Sequence, residues 1–379
     1  MPGDHWRSLT MRADPHDRPP PRTTAPVRPG VWHTVQFMND KIVRVAAVHA
    51  AAPFLDLTAG LEKTREAIFE AGRGGAKIVV FPETFLPGYP HWIWSHTPKY
   101  AAPLFARLFE NALELPSPES RAIGDAAREA GVWVVLGTDE RDGGTLYNTQ
   151  AYFSPDGRLV ARHRKLHPTN AERTVWGRGD GRDVFVVDTG FARLGGLICF
   201  EHSMDLAKYA LATLGEQIHV ASWPAINATH ADPNAGDFDH YSTTLAQAHA
   251  ICAQTYVVVS QGMITQEIID TLEIPDGPEA PTLGGGLSGF IGPNGQWLND
   301  PHRDTEAIVF GDLDLGIIPF AKFFADGAGH YARPDVFRFG IDRTPQTPLT
   351  NQSVANVEPL TREPDHGAEP IGRVLSVRD

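Results

Sequence analysis

Cys199 ends the apolar run RLGGLICF (193–200) and is followed by the polar Glu201, His202 and Ser203, then by a helix-forming stretch. A thiol at the point where a strand gives way to a helix lies at the carboxyl edge of a sheet, and a helix amino terminus favours its thiolate. That placement suits a nucleophile; the alternative is a small apolar side chain ending a buried strand. Glu83 occupies an equivalent position, just after the strand-like KIVVF, in the segment PETFLPGYP. Burial there would raise its proton affinity toward that of a general base, unless the side chain only caps a helix or pins a loop. A third segment, RHRKLHPT (162–169), carries Lys165, and Glu172 follows in AERTVWGRGDG. A cationic strand end is by itself a solvated surface, so Lys165 and Glu172 gain meaning only together with Cys199 and Glu83. Cys252, within the helical AQAHAICAQ, reads as packing.

The elements that must position these residues alternate in type. IVRVAAVHA (42–50) reads as a buried strand, and Asp56 or Thr58 can cap a helix ending at the glycines 72, 74 and 75. A strand at 77–81 follows, then a helix opened by Ser117 or Ser120 and closed by Gly131, then a strand at 132–137. Such alternation implies parallel pairing. Residues 147–153 and 158–164, joined by Pro155-Asp156-Gly157, read as an antiparallel hairpin, which makes the sheet mixed. Further strands are expected at 183–188, 193–198, 218–222, 255–260, 286–291 and 306–312, with helices near 203–213 and 238–253.

The chain has 379 residues with 33 Lys+Arg against 46 Asp+Glu, a formal charge of −13. A hydrophobic content of 42% fills a sizeable core, while the negative charge and lack of a basic cluster argue against nucleic acid or anionic lipid as a partner. Two cysteines cannot make a disulfide framework or a thiolate-rich metal site. Residues 1–40, with seven prolines and five arginines, are expected to be a flexible tail carrying neither a secretory signal nor a transit peptide. Met38, just before the first strand, is a possible later start. The polar stretch 342–379 is expected to be irregular, or ordered only against a neighbouring subunit. No apolar run of about 18 residues suggests a membrane span.

Taken together, FPETFLPGYPHWIW around Glu83, RKLHPTNAERTVWGRGDG around Lys165 and Glu172, GGLICFEH around Cys199 and GHYARPDVF at 329–337 resemble, in order and spacing, the carbon–nitrogen hydrolase superfamily, and most closely its nitrilase branch. The likeness covers residues 41–341. It implies an α/β fold, a four-layer α-β-β-α sandwich with two mixed sheets, assembled as a dimer or spiral homo-oligomer in the cytoplasm. It also implies hydrolysis of a small organic nitrile to a carboxylic acid and ammonia, without metal or organic cofactor. Carried onto this chain, the resemblance makes Cys199 the nucleophile, Glu83 the general base, Lys165 the electrostatic stabiliser and Glu172 the second acid orienting the site. An amidase-type hydrolase would use the same residues, and an inactive oligomeric scaffold is the non-enzyme alternative. The nitrilase pattern usually has Trp after the nucleophile; here it is Phe200, which keeps an apolar body and loses the indole N–H.

Trp92, Trp94, Phe200 and Trp223 flank the three segments and are candidate pocket residues, with His202, three residues past Cys199, a further candidate for substrate binding, against the plainer reading that large aromatics fill core or that His202 caps a helix. Gly284, Gly286 and Gly289 fit the dinucleotide spacing but lead into a strand-like segment rather than a helix, so they read as turn glycines. His230, Asp232, Asp237, Asp239 and His240 have no established metal-ligand spacing and read as a polar loop. The sequons at Asn227 and Asn351 read as accidental.

Overall fold

Apolar runs become strands buried on both faces, and side-chain alternation decides which layer each residue joins. In the computed structural model, which describes residues 41–226, 238–273, 281–346 and 373–375, the chain begins with β1 (Ile42–His49). Val45 and Ala47 of β1 point into an interior shared with a second sheet, while Ala46 and Val48 point outward onto a helix layer. That is the sequence logic of a sandwich.

The first half runs β1, α1 (Leu57–Arg73), β2 (Ile78–Val80), α2 (Pro98–Asn111), β3 (Leu113–Glu114), α3 (Pro118–Ala130), β4 (Trp133–Asp142), β5 (Thr145–Phe153) and β6 (Leu159–Arg164). The second runs β7 (Val186–Asp188), β8 (Arg193–Ile198), α4 (Asp205–Thr213), β9 (Ile218–Trp223), α5 (Phe238–Ala253), β10 (Tyr256–Gln261), α6 (Gln266–Leu272), β11 (Leu287–Ile291) and β12 (His302–Arg303). The chain then returns through β13 (Ala307–Asp314), α7 (Ile318–Phe324) and β14 (Arg373–Leu375). One sheet has the order β13-β1-β2-β4-β5-β6, with β3 also on β4, and the other β12-β11-β10-β9-β8-β7-β14. Each combines parallel pairs, such as β1–β2 and β8–β9, with antiparallel ones, such as β4–β5 and β10–β11.

Val45, Ile78, Val135 and Tyr152 of the first sheet meet Leu194, Ile218, Val220 and Val258 of the second in a fully buried interior. Ile68 of α1 and Ile123 of α3 cover the outer face of one sheet, and Ala207 and Leu211 of α4 cover that of the other. The result is an α-β-β-α sandwich. Polar pins also cross between the sheets: Ser222 Oγ donates to the Phe81 carbonyl at 3.0 Å, Ser260 Oγ to the Val48 carbonyl at 2.7 Å, and Gln150 Nε2 to Ser222 Oγ at 2.9 Å.

Helix boundaries follow their capping residues. Asp56 accepts from the Ala59 amide at 2.9 Å, and Ser117 accepts from Ser120 with Pro118 in the first turn. Gly131 ends α3 in the left-handed region at φ 68°. Three helices were not anticipated. Pro98 and Pro103 disguise α2 as a loop, and α6 and α7 have only seven residues each, too few to display a period. Strand β4 extends to Asp142, beyond the expected end at 137, because its polar residues are paired: Asp139 accepts from Trp176, and Glu140 from Arg162 and Arg164. The glycines at 284 and 286 have φ near +79° and +73° and feed β11, and a Cβ on Gly286 would lie 2.2 Å from the Gly262 carbonyl oxygen.

Asp239 lies in the first turn of α5 beside Arg303 and Gln261, and the His240 ring lies tilted beside that of Tyr241; His230, Asp232, Asp237 and both sequons lie outside the described residues. So do residues 1–40. At the other end, Arg343 donates to the Gly181 and Val184 carbonyls, and β14 pairs antiparallel with β7 of its own chain. Among the described residues, no helix is long and apolar enough to cross a membrane.

Candidate active site

The chain delivers the four candidate residues from the ends of strands. Glu83 follows β2, and its amide donates to the Trp223 carbonyl at the end of β9 on the other sheet. Lys165 follows β6, its amide held by the Asn148 carbonyl at 2.8 Å. Glu172 sits in a short 3-10 turn, Asn170–Thr174, which its own carboxylate caps by accepting from the Thr169 amide at 2.7 Å. Cys199 starts a second 3-10 turn, Cys199–Ser203, directly after β8 with φ +52°. A non-glycine residue in that region costs on the order of 1 kcal/mol or more, so the surrounding contacts must hold it there.

These side chains converge. Lys165 Nζ donates to Glu83 Oε1 at 2.9 Å and to Glu172 Oε2 at 2.7 Å, and all three are buried. Carboxylate oxygens of Glu83 and Glu172 and the Cys199 sulfur lie within 4.8 Å of one another. Glu83 Oε1 also accepts from Asn148 Nδ2 at 2.6 Å, which leaves Oε2 buried without a protein partner. Tyr89 Oη donates to Glu172 Oε1 at 3.0 Å and accepts from Trp94 Nε1 at 3.3 Å. Asn148 and Tyr89 were not anticipated. A buried Asn inside the strand TLYNTQAYF was the available signal for the first; nothing in PGYPHWIW distinguished Tyr89 from its neighbours.

Burial sets the electrostatics. It pushes Glu83 up to about 7, against the pull of Lys165 and with the push of Glu172. It raises the Cys199 thiol well above its ordinary value, with Glu83 adding to the rise and Lys165 opposing it. Burial also opposes the Lys165 charge, but Glu172 and Glu83 outweigh it and hold the ammonium well above its ordinary range. The resting arrangement is therefore a neutral thiol beside a carboxylate that titrates near neutrality and a fixed ammonium. Such a site can pass the thiol proton to Glu83 as sulfur attacks, and Lys165 can face the charge that develops.

Glu201, two residues past Cys199, fastens this assembly. Its Oε1 accepts from the Leu166 amide at 2.7 Å, and its Oε2 from the Ile198 amide at 2.7 Å and from His163 Nε2 at 2.8 Å. His163 Nδ1 donates to the Asp183 carbonyl, so both ring nitrogens donate. Burial opposes that charge, but Glu201 overrides it and raises His163 to about 9.

The expected substrate-binding residues divide between two places. Trp92 is buried against Phe54. Trp223 is fully buried and stacks on His202 at 5.0 Å, with Phe200 and Phe238 edge-on to it. His202 has both ring nitrogens engaged, with Nδ1 on the Cys199 carbonyl at 2.6 Å and Nε2 on His219 at 2.9 Å. A cavity beside Glu83 is lined by Phe54, Tyr89, His91, Met263 and Ile268, none of which the sequence singled out. Among the described residues, two groups bring metal-type donors together, Glu83/Glu172/Cys199 and Glu216/His219/His249. In the first, the Lys165 ammonium already bridges both carboxylates; in the second, Glu216 meets each imidazole at a hydrogen-bond distance of 2.8 Å.

Residues 44–322 match the carbon–nitrogen hydrolase family model. An aliphatic nitrilase of Rhodococcus rhodochrous is 41% identical over 340 residues, covering 88% of this chain and 91% of the relative. A nitrilase of Bacillus sp. strain OxB-1 is 38% identical over 84% of this chain and 94% of its own length. An arylacetone-specific nitrilase of Alcaligenes faecalis is 38% identical over 84% and 90%. In fold, the chain resembles a carbon–nitrogen hydrolase from Helicobacter pylori, with a TM-score of 0.65 at 20% identity over 79% of this chain and 97% of that one. The two-sheet architecture and these relatives agree: the chain belongs to the carbon–nitrogen hydrolase family, in its nitrilase branch.

Proposed function

We infer that the protein hydrolyses an organic nitrile to the carboxylic acid and ammonia, with Cys199 as nucleophile. The observation that carries this reading is the buried convergence of Cys199, Glu83, Lys165 and Glu172. In this reading sulfur adds to the nitrile carbon while the thiol proton passes through Glu83 to the nitrogen, giving a thioimidate. Water adds next, with Glu83 as base, and Lys165 stabilises the tetrahedral centre. The C–N bond breaks, ammonia leaves, and a second water cleaves the thioester to restore the thiol. Glu172 holds the ammonium in place through its 2.7 Å contact, and Tyr89 steadies Glu172. The overall balance is one nitrile and two waters to one acid and one ammonia.

Self-association belongs to the same proposal. Phe320, Phe323 and Phe324 of α7, together with Phe337, expose large apolar surface, as do Leu206 and Ile251 of α4 and α5, which suits burial against further copies. The unpaired, exposed Cys252 suits a reducing compartment and supports a cytoplasmic location.

The test is ammonia release from a panel of aliphatic, aromatic, arylacetonitrile and cyanide substrates, each nitrile run beside its amide. A nitrile converted faster than its amide supports the reading, and the reverse order assigns the site to amide hydrolysis. Cys199→Ala and Lys165→Ala should each abolish release with the circular dichroism unchanged. Normal turnover in either variant removes that residue from the mechanism.

A further inference from the structure

Behind the nucleophile, away from Glu83 and Lys165, lies a second buried set of ionisable side chains for which the reaction above has no role. The Cys199 carbonyl accepts from His202 Nδ1 at 2.6 Å; His202 Nε2 meets His219 Nε2 at 2.9 Å; His219 Nδ1 meets Glu216 Oε1 at 2.8 Å. His249 Nε2 closes the set on Glu216 Oε2 at 2.8 Å. All four side chains are buried.

A carbonyl only accepts, so His202 Nδ1 donates to the Cys199 carbonyl, which leaves its Nε2 to face His219 Nε2. His219 Nδ1 and His249 Nε2 each meet one oxygen of Glu216, so both oxygens of this buried carboxylate have a partner, which explains how an acid is tolerated here. Burial acts against ionisation of Glu216, but His219 and His249 hold it down to about 2.

The line ends on one peptide group. In a trans peptide the carbonyl and the following amide point in opposite directions. Pinning the Cys199 carbonyl on His202 therefore turns the Phe200 N–H to the opposite side of the peptide, and that N–H works against the rise in the thiol's proton affinity. It also holds Cys199 at φ +52°, a conformation the residue would not adopt unaided. Trp223 stacks on His202 and keeps its ring in plane for both hydrogen bonds.

We propose that Glu216, His219 and His202 form a positioning relay that fixes the Cys199–Phe200 peptide and thereby sets the reactivity of the thiol. None of the three touches the reacting atoms. The inference rests on Cys199 being the nucleophile, and the test separates the two ideas.

The experiment measures, at fixed pH, the rate of Cys199 alkylation by iodoacetamide, followed by peptide mass spectrometry to distinguish it from Cys252, alongside kcat and KM for a nitrile. His202→Leu keeps the apolar body and removes the donor; kcat and the alkylation rate should fall together by about 10- to 100-fold, with KM changing by less than about threefold. His202→Asn restores an N–H near the Nδ1 position and should recover most of both. Glu216→Gln, close in shape, should lower both by about 3- to 10-fold. Wild-type alkylation in Glu216→Gln and His202→Leu overturns the relay. So does a loss of kcat that follows the melting temperature while alkylation is unchanged, or an Asn variant no better than Leu. Should the Leu variant not fold, Glu216→Gln and His202→Asn decide the matter on the same readouts. Ammonia release by Cys199→Ala would instead remove the nucleophile assignment, and the relay with it.

Discussion

Replacing Glu83 by Gln tests the catalytic reading and the burial argument together. The side chain titrates at about 7 because burial raises it from 4.5. At pH 7 about half the molecules hold the carboxylate; at pH 6 about one in eleven does, so kcat/KM should fall roughly fivefold over that interval. Above pH 8 it should reach a plateau. Glu83→Gln preserves an acceptor for Lys165 and Asn148 but cannot take the thiol proton, and it should lose about 10²- to 10⁴-fold with no inflection near 7. Stability moves in the opposite sense. A group whose folded value is raised contributes fully below its unfolded value, and that contribution is lost as pH climbs through the folded one. Between about 4.5 and 7 the wild type therefore loses stability on the order of 3 kcal/mol from this group, and the Gln variant does not. The melting temperature of the variant, relative to wild type, should rise with pH across that window. Calorimetry at pH 5, 6, 7 and 8 beside initial rates of ammonia release measures both. A wild-type rate flat from pH 6 to 8, or a variant melting temperature that stays level or falls relative to wild type as pH rises from 5 to 7, would refute the reasoning.

Tyr89→Phe removes one donor from Glu172 without opening a void and should lower kcat by about tenfold with little change in melting temperature, checked by steady-state kinetics and calorimetry. His163 is held up to about 9 by Glu201, so the stability it contributes is complete below its unfolded value near 6.5 and lost as pH rises through 9. His163→Gln should flatten that alkaline decline in thermal scans; an undiminished decline would place its origin elsewhere. Trp223→Ala should change the ratio of rates on aromatic and aliphatic nitriles, because Trp223 carries Phe200, Phe238 and His202 on its faces. An unchanged ratio would make it packing alone.

Much of this arrangement can be read in the sequence because it depends on local signals. IVRVAAVHA had to be buried on both sides, Ser117 and Gly131 bracket a helix, and RLGGLICF places a thiol at a strand end. Glu83 and Cys199 stand out because each ends an apolar run at a position where its polarity needs a partner, whereas Lys165 and Glu172 gain meaning only from the joint pattern of the segments. What escaped depends on pairing between distant segments. Asn148 looks like any strand residue until Glu83 is placed 2.6 Å away, and Glu216 and His219 look like the ordinary start of a strand until His202 and His249 close on them. The helix α2 was concealed by its own prolines. Phe54 and Met263 reach the cavity from loops, and Ile268 from the seven-residue α6, which is too short to display a period.

Glu83, Asn148 and Lys165 are mounted on one sheet, and Cys199, His202 and Trp223 on the other. The proposed base and the proposed nucleophile are thus carried by opposite jaws, and the gap between them is set by Val45, Ile78, Val220 and Val258 in the shared interior and by the Ser222 and Ser260 pins at its rim. Substitutions that refill this interior should change turnover even at a distance from the thiol, whereas equal changes beneath α1 or α3 should register in stability alone. Catalytic rate, in this protein, becomes a gauge of sheet separation.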